Sequence, residues 1–297
     1  MRVFITGATG FIGMAVTQDL VAAGHQVLGL CRSDDKAAAL AAAGAEVHKG
    51  ALEDIDSVKS GAARADAVIH LAFNHDFSTF AQNCEDDRRV ITALGSVING
   101  SNRPMLITSG TAIAQAAPGQ PSTEDGGIVS SSVVPRAASE EAANALAQGG
   151  VNVGAVRLPQ VHDTTRAGLI TYYVSTAMEK GYLAYIGEGT NRWAAAYVSD
   201  VARLYRLAIE RGVAGAHYHA VGEEGVSMRA IAETLGKRLG LPVKSITPDE
   251  APAYFGWLAM FAAHDMPASS VWTRRTLNWE PTGPSLVEDL AQFTLEH

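Results

Sequence analysis

Lysine and tyrosine are sparse in this chain and oddly distributed: six lysines and eight tyrosines among 297 residues. No lysine lies between Lys59 and Lys180, the first tyrosine is Tyr172, and no tyrosine is followed by a lysine four residues later. Chemistry that needs Tyr and Lys one helical turn apart is therefore excluded. Cysteine is rarer still. Cys31 and Cys84 are too few for a disulfide framework and lack metal-ligand spacing, so no metal site is expected. No apolar run approaches the ~20 residues of a membrane span, and the stretch Phe255-Gly256-Trp257-Leu258-Ala259-Met260-Phe261 is far too short. Basic residues are outnumbered, 23 against 31, and a net charge of −8 disfavours nucleic acid and anionic membranes as partners. The chain opens directly into Met1-Arg2-Val3-Phe4-Ile5, without a charged and then apolar leader, so the expected compartment is the cytoplasm.

What is present describes a folded chain: 47% hydrophobic and 18% charged residues, with a mean hydropathy of +0.06. The length is twice the ~150-residue prior for one domain, which implies two packed units or one large α/β unit. Short β-branched runs alternate with helical stretches, the pattern of a parallel sheet. Strands are expected at 2–6, 26–31, 45–49, 67–71, 105–109 and 152–157, with helices near 12–23, 35–43, 78–99 and 136–148. After Arg157 the rhythm breaks, although a helix at 199–211 and a strand at 216–221 still read as sheet-supporting elements. The expected division is a dinucleotide-binding unit of residues 1–160 plus 198–221 and a smaller substrate-covering part of 161–197 plus 222–297. Residues 118–132, rich in Pro, Gly and Ser, read as a long loop of the kind that often serves as a lid.

The strongest motif is Thr6-Gly7-Ala8-Thr9-Gly10-Phe11-Ile12-Gly13, placed between a strand and a helix. Its glycines permit a tight turn, close backbone approach to a pyrophosphate and close helix–strand packing, while the helix N-terminus faces the phosphate charge. The end of the second strand selects the dinucleotide: an acid there suits NAD and an arginine suits NADP. Here Arg32 and Ser33 come first and acids follow only at Asp34 and Asp35, so NADP(H) is expected over NAD(H).

The Gly7/Gly10/Gly13 spacing resembles the extended and atypical short-chain dehydrogenase/reductases, a group that includes nucleotide-sugar epimerases. Further motifs follow in the order that family has them. Gly50-Ala51-Leu52-Glu53-Asp54 is similar to its loop beside the adenine, and Val68-Ile69-His70-Leu71-Ala72 to the fourth strand lining the cofactor. Ile107-Thr108-Ser109-Gly110-Thr111 resembles the strand presenting a catalytic hydroxyl, and Arg157-Leu158-Pro159-Gln160-Val161 the segment near the nicotinamide. The resemblance implies a doubly wound Rossmann fold and cofactor contacts from Gly7, Thr9, Gly10, Phe11, Ile12, Gly13, Arg32, Ser33, Leu52, Leu71, Ala72, Phe73, Thr108, Pro159 and Val161. A homodimer through the long fourth helix and the helix after the fifth strand is a further implication.

The family's engine, a Tyr that protonates the carbonyl oxygen and a Lys four residues on that tunes it, is missing. Arg136 and Glu140 stand near where the two are expected. Candidates for the proton or oxyanion role are Ser109, Thr111, Arg136 as a charged donor, and Tyr172 from the second unit. Three functions follow: a reductase of a small, largely apolar carbonyl or imine; a nucleotide-sugar epimerase or dehydratase; and an NADP(H)-binding regulator without chemistry. His70 and His162 read as packed structural residues, and Arg88 and Arg89 as a solvated face. Arg192 with Trp193 reads as packing plus a buried ion pair. Tyr254 to Phe261, with Trp272, reads as the wall of an apolar cleft.

Overall fold

The computed structural model describes residues 1–294; residues 295–297 of the expected substrate-covering part lie outside the described residues. The strands are β1 (Arg2–Thr6), β2 (Gln26–Cys31), β3 (Glu46–Lys49), β4 (Ala67–His70), β5 (Met105–Gly110), β6 (Val153–Leu158), β7 (Gln160–His162), β8 (Leu183–Ile186), β9 (Arg192–Tyr197), β10 (His217–His219), β11 (Glu223–Ser227) and β12 (Val243–Ile246). Seven of them form one parallel sheet in the order β10-β6-β5-β4-β1-β2-β3. Its apolar runs are buried on both faces, as a parallel sheet requires. Within β1, Val3 and Ile5 enter one core while Phe4 enters the other; in β5, Leu106 faces the first core and Met105 and Ile107 the second.

Helices α1 (Phe11–Ala22), α2 (Asp34–Ala42), α3 (Ile55–Ala63), α4 (Phe80–Ile98), α5 (Ala138–Gln148), α6 (Leu169–Lys180), α7 (Val198–Arg211) and α8 (Met228–Leu239) complete the main framework. α1 and α7 cover one face of the sheet; α3, α4 and α5 cover the other. The strand order reverses between β1 and β4, and the crevice at their carboxyl ends is where such folds take ligands. A third core, built on Tyr173, Trp193, Leu235, Tyr254 and Leu286, belongs to the smaller C-terminal part. There β8 pairs with β12, and β7, β9 and β11 form a second small sheet.

Helix α3 is absent from the sequence expectations. Its sequence, Ile-Asp-Ser-Val-Lys-Ser-Gly-Ala-Ala, buries only Val58, Gly61 and Ala62. A Cβ on Gly61 would lie 2.3 Å from the Phe4 ring, so close docking on the sheet is paid for with a poor helix former. The expected helix at 136–148 begins two residues later, after a 3-10 turn over Pro135–Ala137.

The 118–132 loop is fastened rather than free. Ser122 is held by two backbone bonds to the 267–269 segment, its N–H donating to the Pro267 carbonyl at 2.9 Å and its carbonyl accepting the Ser269 N–H at 2.8 Å. Arg157 lies entirely inside and forks onto Glu140, also fully buried, at 2.9 and 2.8 Å. Its remaining N–H groups reach the Glu124 and Gly126 carbonyls at 3.5 Å, which ties the loop to β6.

The same cluster holds His219, whose Nδ1–H donates to the Ser269 carbonyl at 2.8 Å while Nε2 accepts from Arg157 at 3.2 Å. Burial, reinforced by the Arg157 charge, pushes the His219 pKa down to about 4. A folded pKa below the unfolded value of ~6.5 gives stability present above that value and lost as pH falls toward the folded pKa. The urea midpoint should therefore fall between pH 7 and pH 5, and His219→Gln should flatten that dependence; an unchanged slope in the variant would contradict the assignment.

Candidate active site at the carboxyl edge of the sheet

The turn after β1 is built for close approach. Gly7 has φ +72°, and a Cβ there would sit 2.7 Å from the Ala72 nitrogen. A Cβ on Gly13 would lie 2.0 Å from the Gly7 carbonyl oxygen, so α1 can dock against the turn only with glycine at that position. Gly10 caps α1 without a side chain, and the first turn, which carries Phe11, Ile12 and Gly13, contains no acid. Its free N–H groups and dipole face the crevice beside Thr9. This cradle fits a dinucleotide pyrophosphate. Leu71, Ala72 and Phe73 leave β4 opposite it, half-buried, and Leu52 and Pro159 are half-buried as well.

At the end of β2, Cys31 Sγ donates to the Ser33 carbonyl at 3.1 Å. Arg32 is exposed and, among the described residues, makes no hydrogen bond or ion pair. The Ser33 hydroxyl makes no capping bond to α2, and Asp34 is taken up by Lys49. Two of the expected cofactor contacts point elsewhere. Val161 is buried in the core. The Thr108 hydroxyl donates to the His70 carbonyl at 2.8 Å and meets the Tyr205 hydroxyl at 2.7 Å, on the α7 side of the sheet.

At the end of β5 stand three of the four catalytic candidates. Ser109 Oγ is buried and, among the described residues, has no partner. Thr111 Oγ1 has one long bond, 3.5 Å to the Leu158 carbonyl. Arg136 donates from Nη2 to the Thr108 carbonyl at 2.8 Å and from Nη1 to Asp87 Oδ2 at 3.1 Å and to Ser139. Its guanidinium lies 4.2 Å over the Phe73 ring. Of its five N–H donors, Nε–H and one Nη2–H have no partner among the described residues. Glu140, by contrast, accepts from Arg157 on the neighbouring strand β6 and, among the described residues, makes no bond to Arg136.

Sequence reasoning missed Asp87. It lies on α4, only 3% exposed in its side chain, between His70 and Arg136. Burial works to raise its pKa, but His70, Arg136 and the Ser139 hydroxyl hold the carboxyl below the usual range. The available signal was its position in α4 on the buried stripe with Asn83 and Val90, inside a run of charges that reads as solvent-facing.

Tyr172 and Trp257 of the C-terminal part build an aromatic wall with Phe73, Phe77 and Phe80 of the segment after β4. Phe77, in the short turn after β4, stacks on Trp257 at 3.9 Å and 15°, and Tyr172 on α6 meets both edge-on at 5.9 and 5.3 Å. Phe80 and Phe73 continue the series back to Arg136. The fourth catalytic candidate, Tyr172, thus belongs to this wall and not to the partners of Arg136. Trp272 does not join it, packing instead on Tyr218 beside β10. Beside Thr111, a cavity of about 220 Å³ is lined mostly by small residues of the 111–122 loop and closed by Asp265, Met266 and Pro267.

Arg192 forms its ion pair with Asp265 through Nε and Nη2 at 3.0 and 2.7 Å, but the pair is about one-third exposed rather than buried. Trp193 is fully buried. His162 is a buried structural residue, its Nδ1 on Asp289 at 2.7 Å. The outward positions of α4 (Gln82, Glu85, Arg89, Thr92 and Ser96) present no apolar patch. Among the described residues there is no helix long and apolar enough to cross a membrane and no cluster able to hold a metal ion.

Comparison with known proteins gives relatives along the whole chain and solved structures of the same fold. An uncharacterized protein of Schizosaccharomyces pombe is 44% identical over 292 residues, 98% of each chain. Another, of Saccharomyces cerevisiae, is 42% identical over 299 residues, 99% of this chain and 100% of its own. A dTDP-glucose 4,6-dehydratase from Streptomyces venezuelae, solved with NAD, shares the fold at a TM-score of 0.79 and 19% identity, covering 98% of this chain and 95% of that one. The model of the NAD dependent epimerase/dehydratase family matches residues 3–221, and the chain belongs to that family.

Proposed function

We propose that the protein is an NADPH-dependent reductase of a small, largely apolar carbonyl or imine compound. The observation that carries this reading is Arg136, held at the end of β5 with spare N–H donors and backed by an aromatic wall instead of a Tyr–Lys pair. Residues 1–160 and 198–221 hold the dinucleotide in this reading, and the remaining described residues cover the substrate. The glycine turn holds the pyrophosphate, and Arg32 with Ser33 takes the 2′-phosphate. The reduced nicotinamide supplies a hydride. Arg136 donates to the oxygen on which negative charge develops. Ser109 or Thr111 passes its hydroxyl proton to that oxygen and regains one from solvent. An imine, once protonated, needs less acid help.

One observation weighs against a nucleotide-sugar substrate. Arg192, which the family resemblance implies as the arginine near a sugar-nucleotide phosphate, is already bidentate on Asp265, and that hydrogen bonding keeps the Asp265 carboxyl below its usual pKa. A diphosphate would have to displace a carboxylate.

Arg32 gives the first test. Arg32→Ala should weaken NADPH binding about 10- to 100-fold, the loss of a charge-assisted contact of ~1.5–3 kcal/mol, and leave NADH binding unchanged. Equal losses for both dinucleotides, or faster wild-type turnover with NADH, would remove Arg32 from the role.

A further inference from the structure

Arg136 is the end of a continuous hydrogen-bonded chain that begins in the dinucleotide turn. Ala72 N–H donates to Thr6 Oγ1 at 3.3 Å, and Thr6 Oγ1 bonds His70 Nδ1 at 2.6 Å. His70 Nε2 bonds Asp87 Oδ1 at 2.8 Å. Asp87 Oδ2 accepts from Ser139 Oγ at 2.5 Å and from Arg136 at 3.1 Å. The directions are mutually consistent: Thr6 donates to Nδ1, and His70 donates its Nε2 proton to the carboxylate. Thr6 closes β1, His70 closes β4, Asp87 lies on α4, and Arg136 and Ser139 flank the start of α5. Thr6, His70, Asp87 and Ser139 are all buried. Ala72, the first donor, is the residue whose nitrogen a Cβ on Gly7 would strike.

Such a chain has two consequences. An arginine held by the Thr108 carbonyl and a Ser139 hydroxyl that has itself lost its acceptor would be free to shift, and a displacement of about 1 Å at a reacting group costs on the order of 10²-fold in rate. The Asp87 carboxylate anchors Arg136 directly, also fixes the Ser139 hydroxyl beside it and, being buried, keeps its strength because little water competes. The other end of the chain rests on the turn that receives the pyrophosphate. We propose that Asp87 is the positioning residue for Arg136 and that Thr6 and His70 couple this positioning to occupancy of the dinucleotide turn. This rests on the reductase reading for its kinetic arm only.

The test uses the full chain and two readouts. Kinetically, Asp87→Asn should lower kcat about 10- to 100-fold with NADPH affinity within about threefold. In the Arg136→Ala background the same change should cost nothing further, because it acts only through Arg136. Losses that multiply, or a kcat within about twofold of wild type, would overturn the proposal. Should Asp87→Asn fail to fold, Ser139→Ala removes the neighbouring contact with less disturbance and should show the same non-additivity.

The second readout does not depend on turnover. Side-chain NMR of isotope-labelled protein should show hindered rotation of the Arg136 guanidinium, lost in Asp87→Asn, and a shift of its signals on adding NADP⁺ that Thr6→Val abolishes. A freely rotating guanidinium in the wild type, or a shift that survives Thr6→Val, would refute the coupling. If wild type turns over nothing, the reductase reading fails while this arm still decides the positioning claim.

Discussion

Replacing Arg136 by alanine is expected to lower kcat about 10²–10³-fold, the usual cost of removing a preorganised donor to a developing oxyanion, with NADPH affinity little changed. The expectation follows from what Arg136 has left to give. Three of its contacts, to Asp87, Ser139 and Thr108, fix the plane of the guanidinium, and the two remaining N–H groups are directed by that plane. Lysine in its place keeps the charge but not the fork, so it cannot meet Asp87 and the Thr108 carbonyl together and still address a substrate. Arg136→Lys should therefore recover only a minor part of the lost rate. Steady-state kinetics with dinucleotide binding measured in parallel checks both variants; a kcat within a few-fold of wild type in Arg136→Ala would remove it from the chemistry.

The second large effect concerns stability. Arg157→Met should cost about 3–5 kcal/mol, because Glu140 is then left as a buried carboxylate whose one other partner among the described residues is His217, at 3.3 Å. The same change strips the Glu124 and Gly126 carbonyls of their donor and loosens the 118–132 loop. Adding Glu140→Leu should return most of the loss, since two apolar groups are easier to bury than one unpaired charge. Arg89→Ala, at an exposed pair with Asp86, should stay within about 0.5 kcal/mol of wild type. Urea unfolding of the four proteins separates these cases, and near-equal midpoints for Arg157→Met and Arg89→Ala would show that the buried pair carries no special weight.

The parts legible in the sequence are those set by local physics. The glycine turn announces itself because only glycine tolerates φ +72° at Gly7 and the 2.0 Å approach at Gly13. The sheet is legible because strands buried on both faces read as unbroken apolar runs. The missing Tyr–Lys pair is equally plain, since it is a matter of spacing. What the sequence hid depends on distant partners. Asp87 and Arg136 are 49 residues apart and meet only through the α4–α5 packing. Arg157 and Glu140 each matched a motif position, yet they are spent on each other in a fully buried ion pair. Trp257 and Trp272 carry similar aromatic signals, and only the chain path puts one in the cleft wall and the other beside β10.

Hydride transfer itself gives the most direct test of the proposed reductase. Wild-type protein is incubated with NADPH deuterated at the transferring position and a panel of small aryl and alkyl ketones, aldehydes and imines, and products are read by mass spectrometry. One deuterium in the alcohol or amine product of at least one class, lost in Arg136→Ala, is the predicted result. Tight NADPH binding with no deuterium in any product would contradict the reductase and leave a dinucleotide-binding regulator in its place.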